Sequence, residues 1–217
     1  MSKYICKRHS GVLGRALLLE DFEVLAGKLK PWRAPELREL ALEKGSGLVL
    51  GFVKGLKLSA GLIYAIRKIM SRHDLEVHWG HLLDPRRESC SPECDVIIHK
   101  KGCYQEWNGE NQANRVMDFK FIECEDAIAV ISCKSHAKSI DPDYPTKLRP
   151  YVKTVLLFAE CCSPKQHDKL RRQARKAGYR GFWYLYTYDE YSGECEDRPE
   201  QWEGFVNTVS KIIAKPV

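Results

Sequence analysis

The chain has 217 residues, of which 44% are hydrophobic and 29% are charged, and its formal net charge at pH 7 is +6. This composition is typical of a folded protein and excludes a disordered tail, and the length suffices for one domain or for a core with an appendage. No apolar run approaches the ~18 residues of a membrane-spanning helix, and the first ten residues lack the apolar segment of a signal peptide, so the sequence predicts a cytoplasmic protein with no membrane partner.

Basic residues are concentrated in two parts of the chain. Residues 1–72 contain fourteen Lys and Arg against six Asp and Glu, and a second group lies between residues 165 and 180. Such clusters suit a polyanion, because each neutralised phosphate releases counterions. Solvated helix faces are the alternative interpretation. The residues predicted to bind nucleic acid are Arg67, Lys68, Arg72, Lys169, Arg172, Arg175 and Lys176.

The first seventy residues are predicted to be mainly helical. Residues 11–30 carry apolar side chains at helical intervals and end before a proline, and residues 34–44 predict a second, short helix. The apolar run 47–53 is too short for a globular helix and is predicted to be a strand. A clearer amphipathic helix is predicted from Leu58 to Met70.

The remainder of the chain alternates between strands and helices. The predicted strands are 75–83, 94–100, the AIAVI core at 127–131, 153–162 and 181–188, and the predicted helices are 164–178 and one beginning near Pro199. Residues 101–119 are polar and irregular, which is typical of a functional or mobile loop. This order predicts an α/β or α+β domain with a mixed central sheet flanked by helices. Residues 1–55 are predicted to form a helical appendage packed on a core of residues 56–217.

Two charged residues interrupt otherwise apolar strands. Asp95 lies at the start of one strand and Lys134 at the end of another. An isolated buried charge is costly, so each side chain requires a partner, a metal or access to solvent. If the two strands are neighbours, Asp95, Ser132 and Lys134 meet at one end of the sheet, and strand alternation places Asp95 on one face with Ile97 and His99. A plain ion pair at a strand end is the alternative.

The segments SPECDVII and AIAVISCKS, separated by a long excursion, resemble the PD-(D/E)XK nuclease superfamily of restriction and repair enzymes, and most closely an uncharacterised bacterial branch of it. The resemblance covers residues 56–160. The residues that match the motifs of this branch are Gly80, Ser91, Asp95, Glu125, Ala129 and Lys134. The resemblance implies a restriction-endonuclease-like core and a divalent-metal-dependent phosphodiesterase that acts on DNA in a restriction or phage-defence setting.

The same resemblance assigns roles within the site. In active members the Asp and a second acid, two residues before the lysine, hold Mg²⁺ or Mn²⁺, and the lysine assists the attacking water. It therefore assigns metal binding to Asp95 and water activation to Lys134, whereas Ser132 replaces the second acid and contributes a weak ligand or a hydrogen bond. Glu93, about 7 Å from Asp95 along the strand, is predicted to be the second metal ligand, with a solvent-facing turn carboxylate as the alternative. The remaining acids that could substitute are Asp141, Asp143 and Glu160.

The replacement at Ser132 leaves a second function open. A catalytically inactive nuclease fold would serve as a nucleic-acid-binding or protein-interaction module, and a homodimer or a partner protein fits either function.

His99 and His136 are each predicted either to shuttle protons near pH 7 or to be surface histidines. The nine cysteines allow a third hypothesis, a zinc-stabilised scaffold, against the prediction of buried apolar roles for Cys94, Cys124, Cys133 and Cys161.

Overall fold

The structure is a computed structural model that describes residues 12–33, 47–70, 74–106 and 119–214. Its helices are α1 (Val12–Leu29), α2 (Gly47–Ile69), α3 (Tyr144–Leu148), α4 (His167–Ala177) and α5 (Pro199–Ile213), and a short 3-10 helix (Lys30–Arg33) follows α1. Its strands are β1 (Leu75–Asp84), β2 (Ser89–Cys90), β3 (Cys94–Lys100), β4 (Tyr104–Glu106), β5 (Phe119–Glu123), β6 (Ala127–Ala137), β7 (Val155–Cys162), β8 (Phe182–Tyr188) and β9 (Cys195–Asp197). Within these residues, no helix is both long and apolar enough to cross a membrane.

The nine strands of the described residues form one mixed sheet. Its order is β4-β5-β1-β3-β6-β7-β8-β9, with β2 paired to β1. The pairs β1–β5, β6–β7 and β7–β8 are parallel, and the pairs that include β3 are antiparallel. The predicted fold class, a mixed sheet flanked by helices, is confirmed.

Helices cover the sheet on both faces, because the central strands are apolar on both sides. Along β7, Leu156 and Phe158 belong to one core layer, whereas Val155, Leu157 and Ala159 belong to the other. Buried side chains of α1, α2 and α5 complete the first layer, and those of α3 and α4 complete the second. The sheet therefore separates α2 from α4.

The predicted strand at residues 47–53 is wrong, since these residues form the first turns of α2. The helix continues without a break into the predicted helix, where Leu58, Leu62, Ile66 and Ile69 are buried at helical spacing. Extending an already packed helix adds one hydrogen bond per residue without a new nucleation cost. A short apolar run next to an amphipathic helix therefore joins that helix.

Several other expectations concern the loops and the domain boundary. The predicted loop at residues 101–119 contains β4 and the first residue of β5, and its residues 107–118 lie outside the described residues. The predicted helix at residues 34–44 also lies outside the described residues. The proposed division between residues 55 and 56 falls within α2, and it stays a prediction.

Gly80 lies directly beside Lys120 of β5, where the two backbones pack closely. An added Cβ would lie 1.7 Å from the carbonyl oxygen of Lys120, a backbone atom fixed by the parallel pairing of the two strands. We therefore expect Gly80→Ala to lower the free energy of unfolding, measured in urea, by about 2–3 kcal/mol. Gly27→Ala is the matched control, because a Cβ there meets nothing within 4 Å and alanine favours the helix. Equal stability of the two variants would contradict this account of the packing.

Candidate functional site

The pairing of β3 with β6 brings Asp95 to the second charged strand. The two strands are antiparallel neighbours, Val96 is the partner of Ile131, and β6 then continues to Ala137, beyond the beginning of β3. The Cys133 N–H donates a hydrogen bond to Oδ2 of Asp95 at 2.7 Å. Asp95 thus lies beside the segment that carries Ser132 and Lys134.

Strand alternation is interrupted next to Asp95, so the prediction from parity does not hold there. Cys94 and Ile97, three residues apart, belong to the same core layer, and the β1–β3 register shifts over the same stretch. A bulge of this kind changes the direction of a side chain at a strand end. The hydrogen bond from Cys133, and not parity with Ile97 and His99, therefore defines the position of Asp95.

A pocket of about 680 Å³ lies between α2 and this end of the sheet. Its polar wall is formed by Glu93, Asp95, Ser132 and Lys134. Ser132 is buried, Asp95 and Lys134 are half-buried, and Glu93 is exposed. The facing wall comes from one side of α2 and includes Leu56, Ser59, Ile63, Tyr64 and Arg67. The predicted residues Asp95, Ser132 and Lys134 therefore share one cavity, together with Glu93.

Burial makes ionisation of Asp95 unfavourable. It raises the pKa of this carboxyl from 3.8 to about 6, against the opposing effects of the Cys133 N–H, the charge of Lys134 and a hydrogen bond from Ser132. The nearby carboxylate of Glu93 adds a further upward contribution to the pKa. A divalent cation would offset this cost, and carboxylate and hydroxyl oxygens are the ligands that Mg²⁺ and Mn²⁺ prefer. The donor set at the pocket therefore fits a hard divalent cation, with the half-buried carboxylate of Asp95 and the exposed carboxylate of Glu93 as its charged oxygens.

Glu93 is held at the mouth of the pocket by two aromatic residues. The Trp79 indole N–H donates to Oε1 of Glu93 at 2.7 Å, and the Tyr144 hydroxyl donates to the Glu93 carbonyl at 2.9 Å. A hydrogen bond from an indole fixes the direction of a carboxylate without neutralising its charge. Glu93 therefore lines the pocket with a fixed side chain, and its role as a second metal ligand stays a prediction.

The other acids considered from the sequence lie elsewhere. Glu160 is fully buried, pairs with Arg33 at 2.7 Å and accepts a hydrogen bond from the Tyr186 hydroxyl. Asp141 accepts the backbone N–H groups of Asp143 and Tyr144 at 2.9 and 3.3 Å, where it shapes the entry to α3. Neither Asp141, Asp143 nor Glu160 is among the described residues that line the pocket.

The two predicted proton shuttles are not among the described residues that line the pocket. His136 Nδ1 lies 3.3 Å from the carboxylate of Glu190, and its ring packs edge-on against Tyr188. His99 lies at the opposite end of β3 from Asp95, and burial lowers its pKa, so its ring is neutral at pH 7. Their positions give no support to proton transfer at the pocket.

The predicted nucleic-acid-binding residues fall on two separate surfaces. Arg67 lines the pocket and donates to the Val77 carbonyl at 2.6 Å, and Lys68 pairs with Asp21 at 2.6 Å. Arg72 lies outside the described residues. The residues exposed on α4, across the sheet, are Lys169, Arg172, Arg175 and Lys176. The structure thus brings one predicted cation to the pocket and places the α4 group on the opposite face.

The eight described cysteines are all free thiols. Cys94, Cys133 and Cys161 are buried as predicted, whereas Cys124 is partly exposed. Among the described residues, the group of three side chains able to hold a metal ion contains no cysteine and consists of Glu76, His78 and His99. The described residues therefore contain no cysteine cluster that would support the zinc-scaffold hypothesis.

Distant segments contribute pocket residues that no sequence pattern predicts. Tyr144 meets Glu93 across 51 positions of sequence, and the α2 wall faces the sheet only after the chain has folded. Of these residues, Trp79 is the one whose type stands out in the sequence, because it is an aromatic residue in a strand otherwise rich in histidine and apolar residues. Its contact with Glu93 depends on the pairing of β1 with β3.

The sequence matches no protein-family model and no curated protein. The fold, however, is similar to that of NucC. NucC from P. aeruginosa ATCC27853 in its cAAA-bound form superposes with a TM-score of 0.59 at 13% identity, covering 92% of this chain and 90% of that one. NucC from E. coli MS115-1 gives 0.58 at 11% identity in its cAAA-bound form, covering 91% and 89%, and 0.52 at 10% identity in its apo form, covering 74% and 84%. The chain therefore has the mixed α/β fold of these NucC structures.

Proposed function

We propose that the protein is a divalent-metal-dependent nuclease that acts on DNA in phage defence. The observation that carries this proposal is the meeting of Glu93, Asp95, Ser132 and Lys134 around one pocket. The fold shared with NucC supports it, since that protein is a phage-defence nuclease.

Each polar residue of the pocket has a role in this proposal. Asp95 and Glu93 hold Mg²⁺ or Mn²⁺, which, when bound, offsets developing phosphate charge and lowers the pKa of a bound water. Ser132 donates a hydrogen bond to Asp95 and keeps its carboxylate directed into the pocket. Lys134 orients the attacking water and stabilises negative charge on the phosphate.

In this proposal Arg67, which lies on the wall that faces Asp95, binds a phosphate group of the substrate. A guanidinium is well suited to a phosphate because its planar fork matches two oxygens. Since the sheet separates α4 from the pocket, the α4 cations would bind a more distant part of the nucleic acid, a second copy of the chain or a partner protein.

The second candidate function is a catalytically inactive nuclease fold that binds nucleic acid. The specific observation in its favour is Ser132, which leaves Asp95 with Glu93 as the one other carboxylate among the described residues at the pocket. One half-buried and one exposed carboxylate bind Mg²⁺ more weakly than two buried ones. This candidate predicts salt-sensitive binding without cleavage.

A cleavage assay with a lysine variant tests the proposal. We expect the full-length protein to cleave DNA with Mg²⁺ or Mn²⁺ and not with EDTA, and Lys134→Met to reduce the rate at least about 100-fold. The matched control is Lys147→Met, which removes an exposed lysine of α3. Each protein is assayed on duplex DNA, single-stranded DNA and RNA, with and without cAAA, because two of the similar structures contain cAAA.

Two outcomes would contradict the proposal of a nuclease active at this pocket. Salt-sensitive binding by wild type with no cleavage under any of these conditions favours the inactive module. Cleavage that is equal in wild type and Lys134→Met places the activity outside this pocket.

A further inference from the structure

A second cluster of metal-ligating side chains lies away from the pocket, at the opposite end of β3. Glu76 is the cross-strand partner of His99, and His78 follows Glu76 by two residues on β1, so the three share one face of the sheet. One ligand atom from each lies within 4.8 Å of the other two. His99 is separated from Asp95 by about 13 Å along the strand. We propose that Glu76, His78 and His99 form a zinc-binding site distinct from the Asp95 pocket.

The turn after β3 orients two of these ligands. Nδ1 of His99 lies 2.6 Å from the Lys100 carbonyl oxygen, which only accepts, so this nitrogen carries the ring proton and Nε2 of the neutral ring presents a lone pair. The Gly102 N–H donates to Oε2 of Glu76 at 3.3 Å. Backbone hydrogen bonds of this kind fix the tautomer and direction of metal ligands in established zinc sites.

The two histidines already face each other. Nδ1–H of His78 donates a hydrogen bond to Nε2 of His99 at 2.7 Å, and a zinc ion between the two nitrogens would replace this bond once His78 gives up its Nδ1 proton. Both rings are buried against the ring of Tyr104, with centroids 6.0 Å (His99) and 5.2 Å (His78) away. Zinc–nitrogen bonds of about 2.0–2.1 Å at a tetrahedral angle place two nitrogens about 3.4 Å apart. Zinc binding would therefore require the two nitrogens to separate by about 0.7 Å.

The chemistry of this donor set differs from that of the Asp95 pocket. Two imidazoles and one carboxylate suit zinc, with water as the fourth ligand, whereas Mg²⁺ prefers an all-oxygen set. Glu76 is half-buried, so its side of the cluster gives a metal ion access from solvent. A zinc ion there would tie β1 to β3, the strand that positions Asp95. This site does not depend on the proposed nuclease activity.

Zinc titration of the full-length, chelator-treated protein tests the site. We expect wild type to bind one Zn²⁺ in competition with a chromogenic chelator and to show a higher melting temperature with zinc. We expect His78→Gln and Glu76→Gln each to weaken the affinity at least tenfold. His81→Gln is the matched control, because His81 is also on β1 but hydrogen-bonds to the Ser91 carbonyl and is not part of the cluster. Glu76→Gln, at a half-buried position, keeps the test informative if His78→Gln fails to fold.

Cobalt substitution identifies the ligands independently of affinity. We expect visible d–d absorption typical of tetrahedral Co²⁺ without thiolate-to-cobalt charge transfer, and loss of this absorption in His78→Gln. Absence of saturable Zn²⁺ binding by wild type, unchanged affinity in both ligand variants, or a thiolate charge-transfer band would each overturn the proposal.

Discussion

Asp95→Asn is expected to abolish metal-dependent cleavage and, at the same time, to stabilise the metal-free protein at pH 7.5. The variant removes the charge that burial disfavours, while its amide oxygen can still accept the hydrogen bond from the Cys133 N–H. Loss of the carboxylate also removes the buried ligand for the divalent cation. Opposite effects on activity and stability are typical of residues that serve function at a cost to the fold.

The raised pKa of Asp95 determines how the free energy of unfolding depends on pH. The pKa of Asp95 is raised from 3.8 to about 6 in the folded protein, so the folded state binds more protons than the unfolded state between these values. Stability therefore falls as the pH rises through this window. The gain from Asp95→Asn should be at most about 3 kcal/mol at pH 7.5 and about 1 kcal/mol at pH 4.5.

Urea unfolding of wild type and variant at both pH values measures this effect. Mn²⁺ should stabilise the wild type and leave Asp95→Asn unchanged, because the ion compensates the buried charge only where that charge exists. Asp143→Asn, which alters an exposed carboxylate next to α3, is the control and should show no such gain. A destabilised Asp95→Asn at pH 7.5, with the fold retained, would refute the unfavourable ionisation of Asp95.

Ser132→Glu is expected to increase both metal affinity and cleavage, each at least tenfold. Ser132 borders the 680 Å³ pocket beside Asp95, so a longer side chain has space to extend into it. The second carboxylate would supply a charged ligand in place of a hydroxyl, and ligand charge is a main determinant of affinity for hard cations. Without metal, two neighbouring carboxylates repel each other, so this variant should be less stable than wild type in EDTA and recover with Mn²⁺.

Ser132→Gln separates the effect of charge from that of size. It has nearly the same volume as the glutamate variant but no ionisable group, so it should gain neither affinity nor cleavage. Mn²⁺ titration by calorimetry and a plasmid cleavage assay provide the two measurements. A folded Ser132→Glu variant with the Mn²⁺ affinity of wild type would argue that position 132 does not face the metal.

Local sequence patterns were sufficient for most of the fold. Strands such as β7 and β8 are mostly apolar and buried on both faces, and α4 and α5 show helical spacing, because burial on two faces and burial on one face leave different periods in a sequence. The strand prediction for residues 47–53 was wrong for a related physical reason. A short apolar run carries no period of its own, and the adjacent helix determined its state.

The sequence singles out charged residues that the fold brings to one pocket, but not the residues that surround them. Asp95 and Lys134 stand out from the sequence alone, since a charge next to a buried strand requires a partner. The Trp79 and Tyr144 contacts that hold Glu93, the α2 wall and the ion pair that commits Glu160 to Arg33 all join segments far apart in sequence. No local pattern encodes such contacts, because they depend on which strands pair and in what register.

The order of strands and helices, and the two charges at strand ends, are therefore properties of the sequence itself, because hydrophobic period and the cost of burying charge act locally. Only the tertiary structure decided that β3 and β6 are neighbours, that a bulge directs Asp95 toward Cys133, and that the basic residues of α2 and α4 lie on opposite faces. It also decided that Glu76, His78 and His99 meet, since strand register brings residues of two strands to one point.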